Sequence, residues 1–217
     1  MTAVAIDVYG RGLAAWTSGQ EAAGLAVEYD DGSRYPVPVR RWCGPLVAGD
    51  SALLTRAVGP TLDVGCGPGR LLAALGLRGV PALGIDICAE AVVLARRAGG
   101  HALRRDVFRR LPGEGRWSVV LLADGNIGIG GDPTGLLQRA RDLVAPGGRV
   151  LVELDPPGAR TRRVQARLHG VGQPSSWFAW AHVGADDVVP VAAGAHLDTE
   201  TVWKAGGRWF GSLVRPS

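Results

Sequence analysis

Three glycines at every second position, Gly65, Gly67 and Gly69, follow the short stretch Thr61-Leu62-Asp63-Val64 and precede an apolar run that begins at Leu71. The pattern reads as a strand, a tight turn and a helix. A Cβ at any of the three glycines would obstruct a ligand lying directly on the backbone, so the turn suits a bound small molecule. Its spacing departs from the dinucleotide fingerprint Gly-x-Gly-x-x-Gly, because Arg70 stands where the third glycine would fall, and this counts against a nicotinamide cofactor. A carboxylate just before the turn would also repel a pyrophosphate, whereas it suits a ligand carrying an ammonium group. Asp63, Gly65, Cys66 and Gly67 are therefore candidate ligand contacts.

A second carboxylate follows at a matching distance. Val80 to Ile87 reads as another short apolar strand ending on Asp86, about twenty residues past the turn, where α/β nucleoside sites hold a ribose diol. Asp86, with Ile87 beside it, is the candidate ribose contact. Together, LDVGCGPGR and GIDI resemble the first two motifs of the class I S-adenosylmethionine-dependent methyltransferases, and further matches carry the resemblance from about Gly59 to Leu154.

The resemblance implies the rest of a binding surface. In that family an aspartate at the next strand end accepts a hydrogen bond from the adenine amino group and the following amide meets the ring, which makes Asp106 and Val107 the adenine candidates. The alternative is that Asp106 caps the turn into Phe108-Arg109-Arg110. The loop that opens at Asp124 carries four glycines in the seven residues from Gly125 to Gly131, and it follows a strand, where open α/β sheets bind ligands. The family keeps here the residues nearest the transferred methyl group. Asp124 and Gly125 are thus placed on the cofactor and Asn126 and Ile127 on the acceptor, with Asn126 also a catalytic candidate. This loop is similar to that of a group of actinobacterial small-molecule methyltransferases, and it lacks the Asn/Asp-Pro-Pro-aromatic motif of enzymes that methylate nucleic-acid bases or glutamine. The implied cofactor is S-adenosyl-L-methionine, with S-adenosyl-L-homocysteine as product. The implied reaction is direct displacement onto a small-molecule acceptor of secondary metabolism, at oxygen, nitrogen or carbon. Such a donor is already activated, so alignment and exclusion of water do most of the catalysis, in keeping with a sequence that shows no catalytic triad and no metal-ligand spacing.

The elements that must hold these residues follow from periodicity. Trp117 to Ala123 reads as a strand buried on both faces. The segment from Leu71, Cys88 to Ala98 and Pro133 to Val144 read as helices, and His101 to Val107 and Arg149 to Leu154 as strands, the latter after a turn at Ala145-Pro146-Gly147-Gly148. Asp50 or Ser51 should cap a helix ahead of the first sheet strand, and Asp186-Asp187 another that runs through Ala193. His196 to Trp203 and Trp209 to Val214, joined at Gly206-Gly207, close the chain as a hairpin. The expected fold is α/β, a single doubly wound, mainly parallel seven-stranded sheet with an N-terminal cap and an inserted hairpin before the C-terminal strands. In one domain, residues 1–58 form the cap and lid, 59–155 the cofactor-binding core, and 156–217 the substrate-side hairpin and last strands.

Two stretches flank that core. Residues 1–20 read as a helical or irregular cap, and Ala22 to Tyr29 and Arg34 to Val39 as extended segments around the hairpin turn Asp30-Asp31-Gly32-Ser33. Arg41 and Trp42 would fold over the cofactor, the arginine reaching its carboxylate and the tryptophan facing its sulfonium. Alternatively, Trp42 plugs the sheet edge and the arginines are solvated. Between Thr161 and Val183 two extended runs form a hairpin that would wall the acceptor site, with Trp177, Phe178 and Trp180 gripping the acceptor and His169 or His182 taking its proton. The alternative is that these aromatics are core.

A chain of 217 residues with 47% hydrophobic content has the make-up of a soluble globular protein. No apolar run is long enough for a bilayer and the N-terminus lacks the layout of a signal peptide, so a cytoplasmic location is expected. Three scattered cysteines, Cys43, Cys66 and Cys88, suit a reducing compartment. The net charge of +4, with a single lysine, Lys204, invites a nucleic-acid reading, but high Gly, Ala, Val and Arg usage together suggest a GC-rich genome, and no nucleic-acid or membrane partner is expected. Oligomeric state, monomer or homodimer, stays open. Two rivals remain: a non-methylating catalyst on the same fold, such as a cyclase or decarboxylase, and an RNA-binding or RNA-methylating module.

Overall fold

The computed structural model describes residues 1–19 and 24–217. The chain runs α1 (Ala3–Thr17), β1 (Ala26–Tyr29), β2 (Arg34–Pro36), α2 (Val39–Trp42), α3 (Asp50–Leu54), β3 (Thr61–Val64), α4 (Arg70–Leu77), β4 (Ala82–Asp86), α5 (Ala89–Arg97) and β5 (Ala102–Arg104). It continues through β6 (Trp117–Leu122), a 3-10 segment (Asn126–Gly131), α6 (Pro133–Leu143), β7 (Val144–Leu154), β8 (Arg162–His169) and β9 (Phe178–His182), and ends in α7 (Val188–Gly194), β10 (Asp198–Ala205) and β11 (Arg208–Val214). The start of the expected strand at Ala22 lies outside the described residues.

A seven-stranded sheet in the order β10-β11-β7-β6-β3-β4-β5 forms the core. Its five central and far-edge strands are parallel, while β11 and β10 close it antiparallel. Every residue of β3 is buried, as a strand covered by helices on both faces must be. One face of α6, Leu136, Leu137, Ala140 and Leu143, lies in the larger core with Val120, Leu122 and Val150. On the other side of the sheet, α3 and α4 pack Leu53, Leu71 and Leu75 on Val119 and Leu121. The chain turns from β3 to β4 on one side while β6 pairs on the other, so the glycine turn stands at the topological switch point, where such sheets bind ligands.

The inserted hairpin forms, but it does not stand alone. β8 and β9 join β1 and β2 in a second sheet of order β2-β1-β8-β9, pinned by the β1–β8 pairing. That pairing unites two hairpins far apart in sequence, and local patterning does not signal it. Two expected helix caps are also replaced. Gly49, not Asp50, precedes α3, and the Asp50 carboxylate accepts from the Val47 amide. Asp186 and Asp187 accept from the Gly158 and Thr161 amides, tying down the loop before β8 instead of capping α7. β5 is shorter than the strand expected from His101 to Val107, ending at Arg104 and leaving Asp106 in a turn.

One glycine of the turn is fixed by packing as well as conformation. Gly69 has φ 92, and a Cβ there would lie 2.7 Å from the Ala95 Cα of α5. Gly69→Ala should therefore destabilise the protein by roughly 2–4 kcal/mol, the sum of a left-handed backbone penalty and overpacking. Gly79, φ 69, faces open space, so Gly79→Ala should cost only the backbone part, about 1–2 kcal/mol. Urea unfolding of both variants checks this, and equal losses would refute the tight approach of α4 to α5.

Candidate functional site

The turn between β3 and α4 is built as its sequence requires. The Gly65 and Cys66 amides both donate to the Ile85 carbonyl, which locks the turn to β4. Asp86, 8% exposed, accepts from the Gly67 amide at 3.0 Å and the Cys88 amide at 2.8 Å, so its carboxylate bridges the turn and the start of α5. Burial pushes Asp86 up despite these bonds. Asp63 is more exposed to the same effect. It is 2% accessible, none of the described side chains hydrogen-bonds or pairs with its carboxylate, and burial, reinforced by the charges of Asp124 and Asp86, pushes it up to about 7. A buried carboxylate without a cation is costly, and it marks a place where a cationic ligand group would be stabilised.

Tyr9 completes this side of the site. From α1 its hydroxyl comes within 3.4 Å of where a Cβ on Gly67 would lie, and its ring meets Trp42 edge-on at 6.0 Å. Burial, then the nearby Asp86, hold the Tyr9 phenol well above its ordinary pKa, so it stays a neutral donor. Trp42 thus packs on α1. The only sequence signal for Tyr9 was its place one turn beyond Ala5 on the buried face of α1.

Beside the turn lies a network of three arginines and three carboxylates. Arg41 donates to Asp124 at 2.5 Å and stands 3.6 Å from Glu153. Arg70 bonds Asp50 and, at 2.5 Å, Asp124. Arg208 reaches Asp50 at 2.5 Å, Asp124 at 3.3 Å and Glu153 at 2.5 Å. Burial acts to raise Glu153, but the bond and charge of Arg208 hold it below the usual range. The charges of these six balance, which leaves Asp63 as the uncompensated neighbour. Two donors in the network, Arg41 Nε and Arg70 Nε, are buried without a partner among the described residues. Expected on the cofactor, Asp124 instead gives both carboxylate oxygens to arginines, and its φ of 54, unusual for a residue with a side chain, marks how tightly the end of β6 is held. Gly125 follows with φ 84. Arg70, Arg208, Glu153 and Asp50 were not legible as a cluster, although an arginine at a helix start, disfavoured by the dipole, was a signal at Arg70.

The loop after Asp124 differs from expectation. Asn126 donates to the Val64 and Gly65 carbonyls at 3.0 and 2.9 Å, so it clasps the loop to the glycine turn. Ile127, 2% exposed, belongs to the main core and not to an acceptor surface. Val107 is likewise a core residue, and Asp106 accepts from the Phe108 amide at 2.9 Å, the turn-capping bond. Ile87 offers its carbonyl to Arg104.

Cross-strand partners share a face, which sorts the hairpin residues. Arg162, Val164 and Ala166 pair with His182, Trp180 and Phe178, and Tyr29 with Ala166. This face packs against α1, with Phe178 buried beside Ala5 and Val8 and Trp180 half-buried. Trp180 Nε1 stands 2.6 Å from where a Cβ on Gly128 would lie, so β9 rests on the loop after β6. The opposite face carries Glu28, Arg167 and His169, where Glu28 binds His169 at 2.5 Å and Arg167 at 2.7 Å. Trp177, 40% exposed, lies under Arg167 there, 4.6 Å from the guanidinium. His169 and Trp177 therefore face away from the site, because strand alternation separates them from His182 and Trp180. A cleft of about 630 Å³ opens at the amino-terminal end of the strands, by Arg56, Ser118 and Arg149, remote from the glycine turn.

Residues 45–183 match a family model described as a methyltransferase domain. Among solved structures, an S-adenosylmethionine-dependent methyltransferase from Bacteroides fragilis, in complex with S-adenosyl-L-homocysteine, superposes with a TM-score of 0.82 at 20% identity over 100% of this chain and 98% of that one. The sugar N-methyltransferase KedS8 from Streptoalloteichus matches with a TM-score of 0.58 at 18% identity, over 77% of this chain and 85% of its own. A curated protein, the ribosomal RNA small subunit methyltransferase C of Chromohalobacter salexigens, is 38% identical over 116 residues, 46% of this chain. The chain spans about a third of that protein, 32% of its length.

Proposed function

Because the chain belongs to the methyltransferase domain family, we propose that it transfers a methyl group from S-adenosylmethionine to a small-molecule acceptor of secondary metabolism, acting in the cytoplasm. The observation that carries this reading is the pairing of orphaned groups around the glycine turn. Among the described residues Asp63 lacks a cation, while Arg41 Nε and Arg70 Nε lack an acceptor, and these are complements for the ammonium and carboxylate of an amino acid. Asp86 at the end of β4 suits a ribose diol, and the bare backbone at Gly65 and Gly67 admits close approach. The residues present therefore fit the donor, which when bound supplies a methyl carbon already activated by a sulfonium charge.

What the chain adds is position and dryness. The arginine–carboxylate network fixes the end of β6 against Glu153, and Asn126 fixes the loop beyond it against the turn. α1, whose Tyr9 hydroxyl approaches Gly67, and α2, whose Trp42 meets Tyr9 edge-on, are placed to shield this region from water. The similarity to a sugar N-methyltransferase supports a small acceptor.

Calorimetric titration with S-adenosylmethionine and S-adenosylhomocysteine, then mass spectrometry of acceptors incubated with methyl-labelled donor, tests the reading. Asp86→Ala should weaken binding of both by more than tenfold, a loss above about 1.4 kcal/mol. Unchanged affinity would refute the ribose assignment, and binding with no labelled product from any acceptor would favour a non-methylating catalyst. One observation favours a second reading, methylation of RNA: the similarity to a ribosomal RNA methyltransferase. That reading requires RNA binding that weakens steeply with salt and labelled RNA as product.

A further inference from the structure

His182 lies on the same face of the smaller sheet as Trp180, two residues beyond it, and β9 delivers it to the carboxyl end of β7. There the chain runs alongside β7, with the Asp155 amide donating to the Val183 carbonyl and the Ala185 amide to the Asp155 carbonyl, both at 2.9 Å. The ends of β6 and β7 are adjacent, since the Asp124 amide donates to Glu153 at 2.6 Å. Asp155 and His182 thus stand one strand from the loop that Asn126 clasps to the glycine turn.

Their side chains meet as a close carboxylate–imidazole pair. His182 Nδ1 is 3.2 Å from Asp155 Oδ2, while His182 Nε2 is buried and has no partner among the described residues. Tyr29 closes on the imidazole edge-on, with ring centroids 5.2 Å apart, and Arg162 stands opposite on β8. Tyr35 lies behind Tyr29 at 6.1 Å. Burial keeps the Tyr29 phenol neutral, so the charged groups facing His182 are Asp155 and Arg162. A carboxylate 3.2 Å from Nδ1 favours the tautomer in which Nδ1 carries the proton and Nε2 presents a lone pair. A buried ring nitrogen with that lone pair and nothing to accept from calls for a proton donor.

Resting on the methyltransferase reading, we propose that His182, oriented by Asp155, removes the proton of the acceptor, and that the acceptor is a hydroxyl on an aromatic ring. The acceptor oxygen forms its bond to the methyl carbon, the bond from that carbon to sulfur breaks with its electron pair remaining on sulfur, and the hydroxyl proton passes to Nε2. The imidazolium so formed is paired with Asp155 and returns its proton to solvent. A phenolic hydroxyl, with a pKa near 10, is mostly protonated at neutral pH and so needs such a base. Tyr29 and Trp180, aromatic and on this same face, favour a flat aromatic acceptor over an aliphatic one. Asp155 is a positioning residue, since it acts through the imidazole.

The test begins without any acceptor. Nitrogen-15 NMR of histidine-labelled full-length protein should show neutral His182 protonated at Nδ1 and bare at Nε2, and Asp155→Asn should shift both signals. Finding the proton on Nε2 overturns the proposal. Methyl transfer is then measured at about pH 8.5 with 4-methylphenol, still protonated there, and 4-nitrophenol, largely ionised. His182→Gln should lose about 100-fold or more on 4-methylphenol and much less on 4-nitrophenol, and its rate on 4-methylphenol should lose the acid-side fall of the wild type. Asp155→Asn should show the same selective loss, smaller in size. Equal losses on the two phenols, or no methylation of either by the wild type, overturn it. S-adenosylhomocysteine calorimetry separates the failures, because His182→Gln should bind it normally, whereas no binding by the wild type would defeat the methyltransferase reading itself.

Discussion

Replacing Asp63 with asparagine should make the free protein melt higher and bind S-adenosylmethionine at least about 100-fold more weakly. The two effects have one cause. Asp63 is buried on β3 beside Asp124 and Asp86 with no cation of its own, and its pKa of about 7 means that folding at higher pH forces a charge into a site that resists it. Folded protein holds the Asp63 proton between the ordinary carboxylate pKa of 3.8 and about 7, where the unfolded chain has released it. This residue's contribution therefore falls as pH rises across that window and is lowest above it, by up to about 4 kcal/mol. Asparagine removes that penalty, so the stability gain should appear at pH 8 and vanish near pH 4. Wild-type affinity should in turn drop toward tenfold per pH unit below about 7, because the ligand ammonium must first displace the proton, and level off above it. A variant that melts no higher at pH 8, or a wild-type affinity flat from pH 6 to 8, would refute the assignment of Asp63 to the ammonium group.

The sequence reveals some of this site and hides the rest for a physical reason. Asp63, the glycines and Asp86 were readable because strand, turn and strand lie within one βαβ unit, where spacing alone dictates position. The parallel strands and α6 were readable from burial periodicity, and Leu136, Leu137, Ala140 and Leu143 are all inside. The arginine network was not, because Arg208 meets Asp50 across 158 residues and Arg41 meets Asp124 across 83, and no local pattern encodes such a meeting. His169 and His182 looked equivalent in the sequence. They differ only because β8 pairs with β1 and β9 in a register that turns one toward Glu28 and the other toward Asp155. Asn126, chosen for its place after the strand, proved to be a clasp, since its amide reaches two carbonyls the glycine turn leaves open.

Arg70→Leu is expected to be the most destabilising change in the site, by about 3–5 kcal/mol, or on the order of 10 °C in melting temperature. Arg70 is 3% accessible at its side chain and its two terminal nitrogens hold different carboxylates, Asp50, which is fully buried, and Asp124. Leucine fills much of the space but leaves Asp50 with Arg208 as its one cation among the described residues and adds uncompensated negative charge next to Asp63. Arg70→Lys should recover less than half of the loss, because one ammonium cannot span two acids as a guanidinium fork does. The double variant Asp50→Leu with Arg70→Leu separates stability from function. Replacing both members of a buried pair with apolar groups is often neutral, so the double variant should regain most of the melting temperature. It should not regain cofactor affinity, because Asp124 keeps only Arg41 and Arg208 and the orphaned Arg70 Nε, one of the two donors assigned to the ligand carboxylate, is gone. Recovery of binding along with stability would mean that the network merely props the fold. Recovery of stability alone would mean that these charges are retained, at a cost the fold could avoid, to hold a zwitterion against the end of β3.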